Sequence, residues 1–186
     1  ITVRIVYEGR AAKIALNNSK LEEIEKYYEE SAEVGANEYQ IEQSKEESAK
    51  MNAILGDSKR LKDLAKDFVT HYENRISEGA TVKGKAMFVC SSREIAFEFY
   101  QNVIALRPEW NEIKIAADNE VLSEAEQKKI KPMERIKMVM TRGKDDLKEL
   151  YDLLGTNEYR KTLDLEFKNE KSNFKIVDYI QNSIRI

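Results

Sequence analysis

Apolar and polar positions follow two different periods along this chain, and the change of period predicts its elements. From Ser58 to Ile76, the residues Leu61, Leu64, Ala65, Phe68, Tyr72 and Ile76 succeed one another in steps of three and four. That stripe predicts an amphipathic helix packed on a core, with Gly56 before it and Gly79 after it as stops. The period changes at residue 85. Ala86-Met87-Phe88-Val89-Cys90 is a short continuous apolar run, the pattern of a strand buried on both faces. Ser91 and Glu94 then have the spacing of a capping box, and Ile95, Ala96, Phe99, Tyr100, Val103 and Ile104 form a helical stripe that stops before Pro108. This is the first half of a βαβ unit.

The same grammar continues downstream. Ile113-Lys114-Ile115-Ala116-Ala117 is a candidate strand, and Ser123 with Glu126 caps a short helix ending near Pro132. Ile136-Lys137-Met138-Val139-Met140-Thr141 is a second buried-type strand, followed by a turn at Gly143. Leu147, Leu150, Tyr151 and Leu154 make a helical stripe closed by Gly155, a further helix runs through Tyr159, Leu163 and Phe167, and Phe174-Lys175-Ile176-Val177 reads as a third strand. Strand–helix–strand–helices–strand with right-handed crossovers predicts an α/β fold, a parallel sheet with helices over it. Upstream, Thr2 to Tyr7 is strand-like and ends at Gly9, and residues 19–78 read as helical, opened by a Ser19–Glu22 capping box with Leu21, Ile24 and Tyr28 at helical spacing. The predicted division is a strand plus acidic helical linker over 1–80 and an α/β unit over 81–186.

Composition narrows the function. The chain has 186 residues with 31 basic and 34 acidic side chains, a net charge of −3 that excludes a polybasic nucleic-acid tail. Lys20 to Lys50 alone holds 10 acidic and 4 basic residues, so this stretch carries −6 and the remainder +3. It reads as a solvated helical face, with a docking surface for a basic partner as the alternative. One cysteine excludes a disulfide framework and a multi-cysteine zinc site. No run of about 18 apolar residues is present to span a membrane, no signal peptide is visible, and intracellular placement is the default expectation. The first residue is Ile1, which suggests a piece of something longer.

The usual catalytic signatures are missing. No phosphate loop, dinucleotide fingerprint or nucleophile elbow occurs. His71 is the only histidine, which excludes two-histidine metal sites, and it reads as a partly exposed structural residue. Cys90 ends a strand and reads as a small apolar side chain. Asp145-Asp146 reads as helix-starting charge that complements a helix dipole rather than as a metal site. Trp110 follows a helix and reads as packing rather than as a platform for a base.

One constellation carries chemistry. Ser91, Ser92 and Arg93 fall at the C-terminal end of a predicted central strand and at the start of the next helix, and Thr141 and Arg142 end the following strand at the same edge. Open parallel sheets bind ligands at that edge. A helix N-terminus offers free N–H groups to an anion, and hydroxyls with an arginine supply donors that hold a phosphate backbone without reading sequence. Plain helix capping beside a surface arginine is the alternative.

At these residues a resemblance enters. Ile5-Val6-Tyr7-Glu8-Gly9-Arg10 and the acidic region after it resemble the segment following the first motor lobe in restriction (R) subunits of bacterial type I restriction–modification enzymes. Lys85 to Ala96 and Ala105-Leu106-Arg107-Pro108-Glu109-Trp110 look like that family's helicase motif IV. Ile136 to Thr141, Glu149 to Gly155 and Phe174 to Val177 continue in the same order, while residues 111–131 fit least. The resemblance implies a fragment of a superfamily 2 DNA translocase with an attached nuclease: the inter-lobe helical region plus part of the second RecA-like lobe. It implies duplex DNA and the specificity and methylation subunits of a type I complex as partners. It also implies ATP and magnesium as cofactors of the parent protein, with none held and no catalytic residue in this fragment. It places Ser91, Ser92 and Arg93 along the DNA backbone. Val177-Asp178-Tyr179-Ile180 resembles a strand found beyond the family's motif VI, so a junction is expected near 177–178. The rival expectation is a non-enzymatic module that docks a protein through its acidic helices. A small metabolic enzyme is disfavoured by the missing nucleophile, metal and cofactor motifs.

Overall fold

The structure, a computed structural model, describes residues 54–79, 84–117 and 120–180. The predicted strand at 2–7, the helical reading of 19–53 and the acidic stretch at 20–50 lie outside the described residues. The chain divides at residue 54, and the unit that begins at Leu55 is the one described here. It takes in the helix α1 (Ser58–Ser77).

Asp57 opens α1 by accepting the Arg60 N–H at 2.9 Å, the ordinary way to satisfy a free donor of the first turn. The predicted stripe buries Leu61, Ala65 and Tyr72, with Leu64 and Phe68 packed against the core. Two positions differ. Val69 joins the buried face, and Ile76 is exposed because the last turn runs past the core. Tyr72 donates its hydroxyl to the Gly84 carbonyl at 2.5 Å, and burial pushes its pKa up to about 12. Gly84 has φ +63°, a conformation that residues with a Cβ adopt only under strain, so glycine suits this turn.

Three strands follow with their helices: β1 (Ala86–Cys90), α2 (Arg93–Leu106), the short helix α3 (Glu124–Gln127), β2 (Ile136–Val139), α4 (Lys148–Leu154), α5 (Asn157–Lys168) and β3 (Ile176–Ile180). All pairings are parallel, and the spatial order is β1-β3-β2. The last strand therefore enters between the first two. The predicted third strand, 174–177, lies two residues too early: β3 runs unbroken over Ile176–Ile180, and Phe174 sits in the approach to it. The α/β class holds, with the parallel sheet and flanking helices of a partial RecA-like lobe.

The register puts Ala86, Phe88 and Cys90 beside Ile176, Asp178 and Ile180, and Ile136 and Met138 on the same face. That face meets α1 and α2 in the main core, where Phe99 stacks on Phe88 with centroids 3.6 Å apart and Phe68 packs edge-on to both. Trp110 is buried there against Tyr72, as packing. The other face of β2 and β3 carries Val177, Val139 and Tyr179 against α5 residues Leu163, Tyr159 and Phe167. Helices on opposite faces are what right-handed crossovers running in opposite directions along one sheet require. α5 does not reach β1. Met87 and Val89 are therefore 58% and 51% exposed, and the expectation of a first strand buried on both faces is corrected: among the described residues β1 is an edge strand with one covered face.

The candidate strand at 113–117 reduces to isolated antiparallel bridges, Lys114 to Met133 and Ala116 to Ser172. The Ser123–Glu126 capping box forms in full, with both reciprocal bonds in place. No helix among the described residues is long and apolar enough to cross a membrane.

Candidate nucleic-acid interface

The ends of β1 and β2 lie on either side of β3, so the loops after them, 91–92 and 141–147, share the C-terminal edge of the sheet. The five residues singled out in the sequence divide into distinct roles there. Ser92, not Ser91, caps α2: its hydroxyl accepts the Ile95 N–H at 3.3 Å. The capping box expected from Ser91 and Glu94 does not form: the N-cap falls one residue later, where N3 is Ile95 and has no acceptor to return the bond, because the strand runs through Cys90 and the chain needs one exposed residue to turn. That residue is Ser91. Thr141 is exposed as well, and its carbonyl accepts from Arg93 Nη2 at 2.8 Å.

Arg93 is the organising side chain. Nε donates to Asp146 Oδ1 at 2.8 Å and Nη2 to Oδ2 at 2.5 Å, a bidentate ion pair. Asp146 also accepts the Gly143 N–H at 2.6 Å. Burial alone would raise the Asp146 carboxyl, but the bonds from Arg93 and Gly143 outweigh it and hold the pKa below the ordinary value. α4 begins at Lys148, just after Asp145-Asp146, with no side-chain cap, and the Asp146 carboxylate turns across the sheet edge to Arg93. Arg142 lies on α4: Nε donates to the Tyr151 carbonyl at 2.8 Å, and the guanidinium sits 4.1 Å from the centroid of the Tyr151 ring.

The edge has a repulsive flank. A groove of about 610 Å³ between α2 and α4 is lined by Glu94, Glu98, Asp145, Asp146 and Glu149. A phosphate backbone meets unfavourable charge there and favourable donors at Ser91, Thr141 and Arg142.

One buried acid escaped sequence reasoning. Asp178 is fully buried in β3, with Oδ2 unpartnered and Oδ1 accepting from the Cys90 thiol at 3.7 Å. Burial pushes its carboxyl well above the ordinary carboxylate range. The same burial, and then Asp178, push the Cys90 thiol upward, which makes it a poor nucleophile. The signal for Asp178 was a lone acid inside an apolar strand. The Arg93–Asp146 pair spans 53 positions, and no local pattern announces it. Among the described residues no group of three or more His, Cys, Asp or Glu side chains is placed to hold a metal ion.

Comparison with known proteins gives two relatives. The HindI type I restriction enzyme endonuclease subunit of Haemophilus influenzae is 35% identical over 124 residues, covering 67% of this chain and 10% of that protein. A Methanocaldococcus jannaschii protein named for the type I restriction enzyme MjaIXP endonuclease subunit is 29% identical over 179 residues, covering 95% of this chain and 14% of that protein. This chain therefore spans between a tenth and a seventh of the length of these curated relatives. No protein-family model and no solved structure matches it.

Proposed function

We propose, for a chain whose curated homologues are type I restriction enzyme endonuclease subunits, that it is a segment of the motor in such a subunit and lends that motor contacts to the DNA backbone. The observation that carries this reading is the C-terminal edge of the parallel sheet, where Ser91, Thr141 and Arg142 stand beside the start of α2. Such donors hold phosphates in register and read no base. In this proposal duplex DNA is the ligand, and the partners are the specificity and methylation subunits of a type I complex. ATP and magnesium are handled by parts of the subunit outside this segment.

The test is duplex binding by the 186-residue chain at low salt, followed by anisotropy. The expected affinity is weak, indifferent to sequence and steeply lowered by salt. Arg142→Ala should weaken binding to all sequences alike and flatten the slope of log K against log salt by about 0.9. Equal binding by the variant would remove Arg142 from the interface. The acidic groove favours a second reading, a module that docks a basic protein segment. A chain that binds no duplex even at low salt would favour it.

A further inference from the structure

The guanidinium of Arg93 is at the surface yet already engaged. Its side chain is 24% exposed, while Asp146 is 5% exposed. Two of its three nitrogens are used, Nε on Asp146 and Nη2 on Asp146 and Thr141. At the distance of a phosphate, a bidentate Arg–Asp pair carries no net charge. Counterion release, which drives backbone binding, follows the net charge a protein brings. The most conspicuous cation of this edge therefore contributes little to DNA binding as it stands. The pair also has a mechanical consequence. It joins the start of α2 to the loop after β2, and β3 lies between the two strands whose ends it connects. The loop is held a second time, by the Gly143 N–H on Asp146, and a Cβ at Gly143 would sit 2.9 Å from Asp146 Oδ1. The carboxylate is fitted to this clasp.

We propose that Asp146 is an autoinhibitory mask on Arg93, withholding one positive charge from the DNA backbone until the loop after β2 releases it. The inference rests on the DNA-contact reading above and adds a control to it. Phosphate and carboxylate oxygens compete for the same guanidinium fork, so a backbone phosphate can replace Asp146. Displacement leaves a nearly buried carboxylate with only the Gly143 N–H, and this sets the threshold for release. A motor that must let go of one phosphate before taking the next gains from a cation that can be covered again.

The experiment is the same duplex titration on the full chain with Asp146→Asn, Arg93→Gln and the double variant. Asp146→Asn uncovers the guanidinium: affinity should rise several-fold, and the salt slope should steepen by about 0.9. Arg93→Gln leaves an unpaired negative charge, so affinity should fall. The double variant restores a neutral, hydrogen-bonded pair and should bind as the unmodified chain does. If Asp146 merely positioned Arg93 for direct contact, Asp146→Asn would weaken binding and the double variant would stay weaker than the unmodified chain. Either result overturns the mask. Should Asp146→Asn not fold, the double variant against the unmodified chain still decides, because loss of a direct Arg93 contact would leave the double variant weaker than the unmodified chain. Duplex binding by the unmodified chain that Asp146→Asn leaves unchanged overturns the mask and spares the DNA reading. Absence of duplex binding in every variant overturns both.

Discussion

The hydroxyl of Ser92 accepts the Ile95 N–H, and its neighbour Ser91 is exposed, so the two serines separate in a stability measurement. Ser92→Ala should lower the unfolding free energy by about 1 kcal/mol, as lost N-caps do, and Ser91→Ala should leave it within about 0.5 kcal/mol. Urea unfolding of the two variants checks this, and equal losses would return the cap to Ser91. Asp178 sets a pH dependence. Its pKa in the folded chain is raised by burial above the unfolded value. Its contribution is therefore fully present below the unfolded pKa and is lost as pH rises through the folded one. Thermal melts should show the unmodified chain losing stability relative to Asp178→Asn as pH rises from acid toward neutral, because the amide cannot ionise. Parallel curves would contradict the burial of a lone carboxylate. At this scale residue types were legible and partners were not. Ser91, Ser92, Arg93, Thr141 and Arg142 were located by their place at strand ends, whereas Arg93 finds Asp146 through the fold alone.

Helical periodicity proved a good guide to elements. The stripe from Leu61 to Tyr72 and the one from Ile95 to Val103 are buried faces packed on each other through Phe68 and Phe99. Phe99 is fully buried, stacked on Phe88. Phe99→Ala should cost about 3–5 kcal/mol, the range for a truncated core aromatic, read as a lower denaturation midpoint at unchanged m-value. Gly155, at φ +62°, joins α4 to α5, and a Cβ there would stand 2.2 Å from Tyr159 Cδ1. Gly155→Ala should therefore destabilise by more than about 1 kcal/mol, and an unchanged midpoint would show that the loop relaxes freely. Strands were harder to read. A continuous apolar run predicts burial on both faces, yet β1 exposes Met87 and Val89 because it lies at the edge and α5 covers only its neighbours. Edge or centre is decided by strand order, which no single segment encodes. In the sequence the β3 region reads as a strand at 174–177 and a second strand-like segment at 177–180, whereas β3 is one strand over Ile176–Ile180.

For the whole molecule, parallel α/β architecture was legible because strands and helices alternate in order. The entry of β3 between β1 and β2 was not, since right-handed crossover fixes a hand and not a destination. That order brings the ends of β1 and β2 close enough for Arg93 to reach Asp146, and it makes the C-terminal edge a candidate ligand site. The proposed division of labour, with backbone contact here and ATP handled elsewhere in the subunit, predicts no ATP hydrolysis by this chain with or without duplex. Turnover above background that is lost on substitution within the chain would contradict it. The most direct test of the central claim is the salt dependence of duplex binding by the 186-residue chain. The account predicts measurable binding at low salt that falls steeply as salt rises and is equal for unrelated sequences. Affinity that is absent at low salt, or that does not respond to salt, would contradict it.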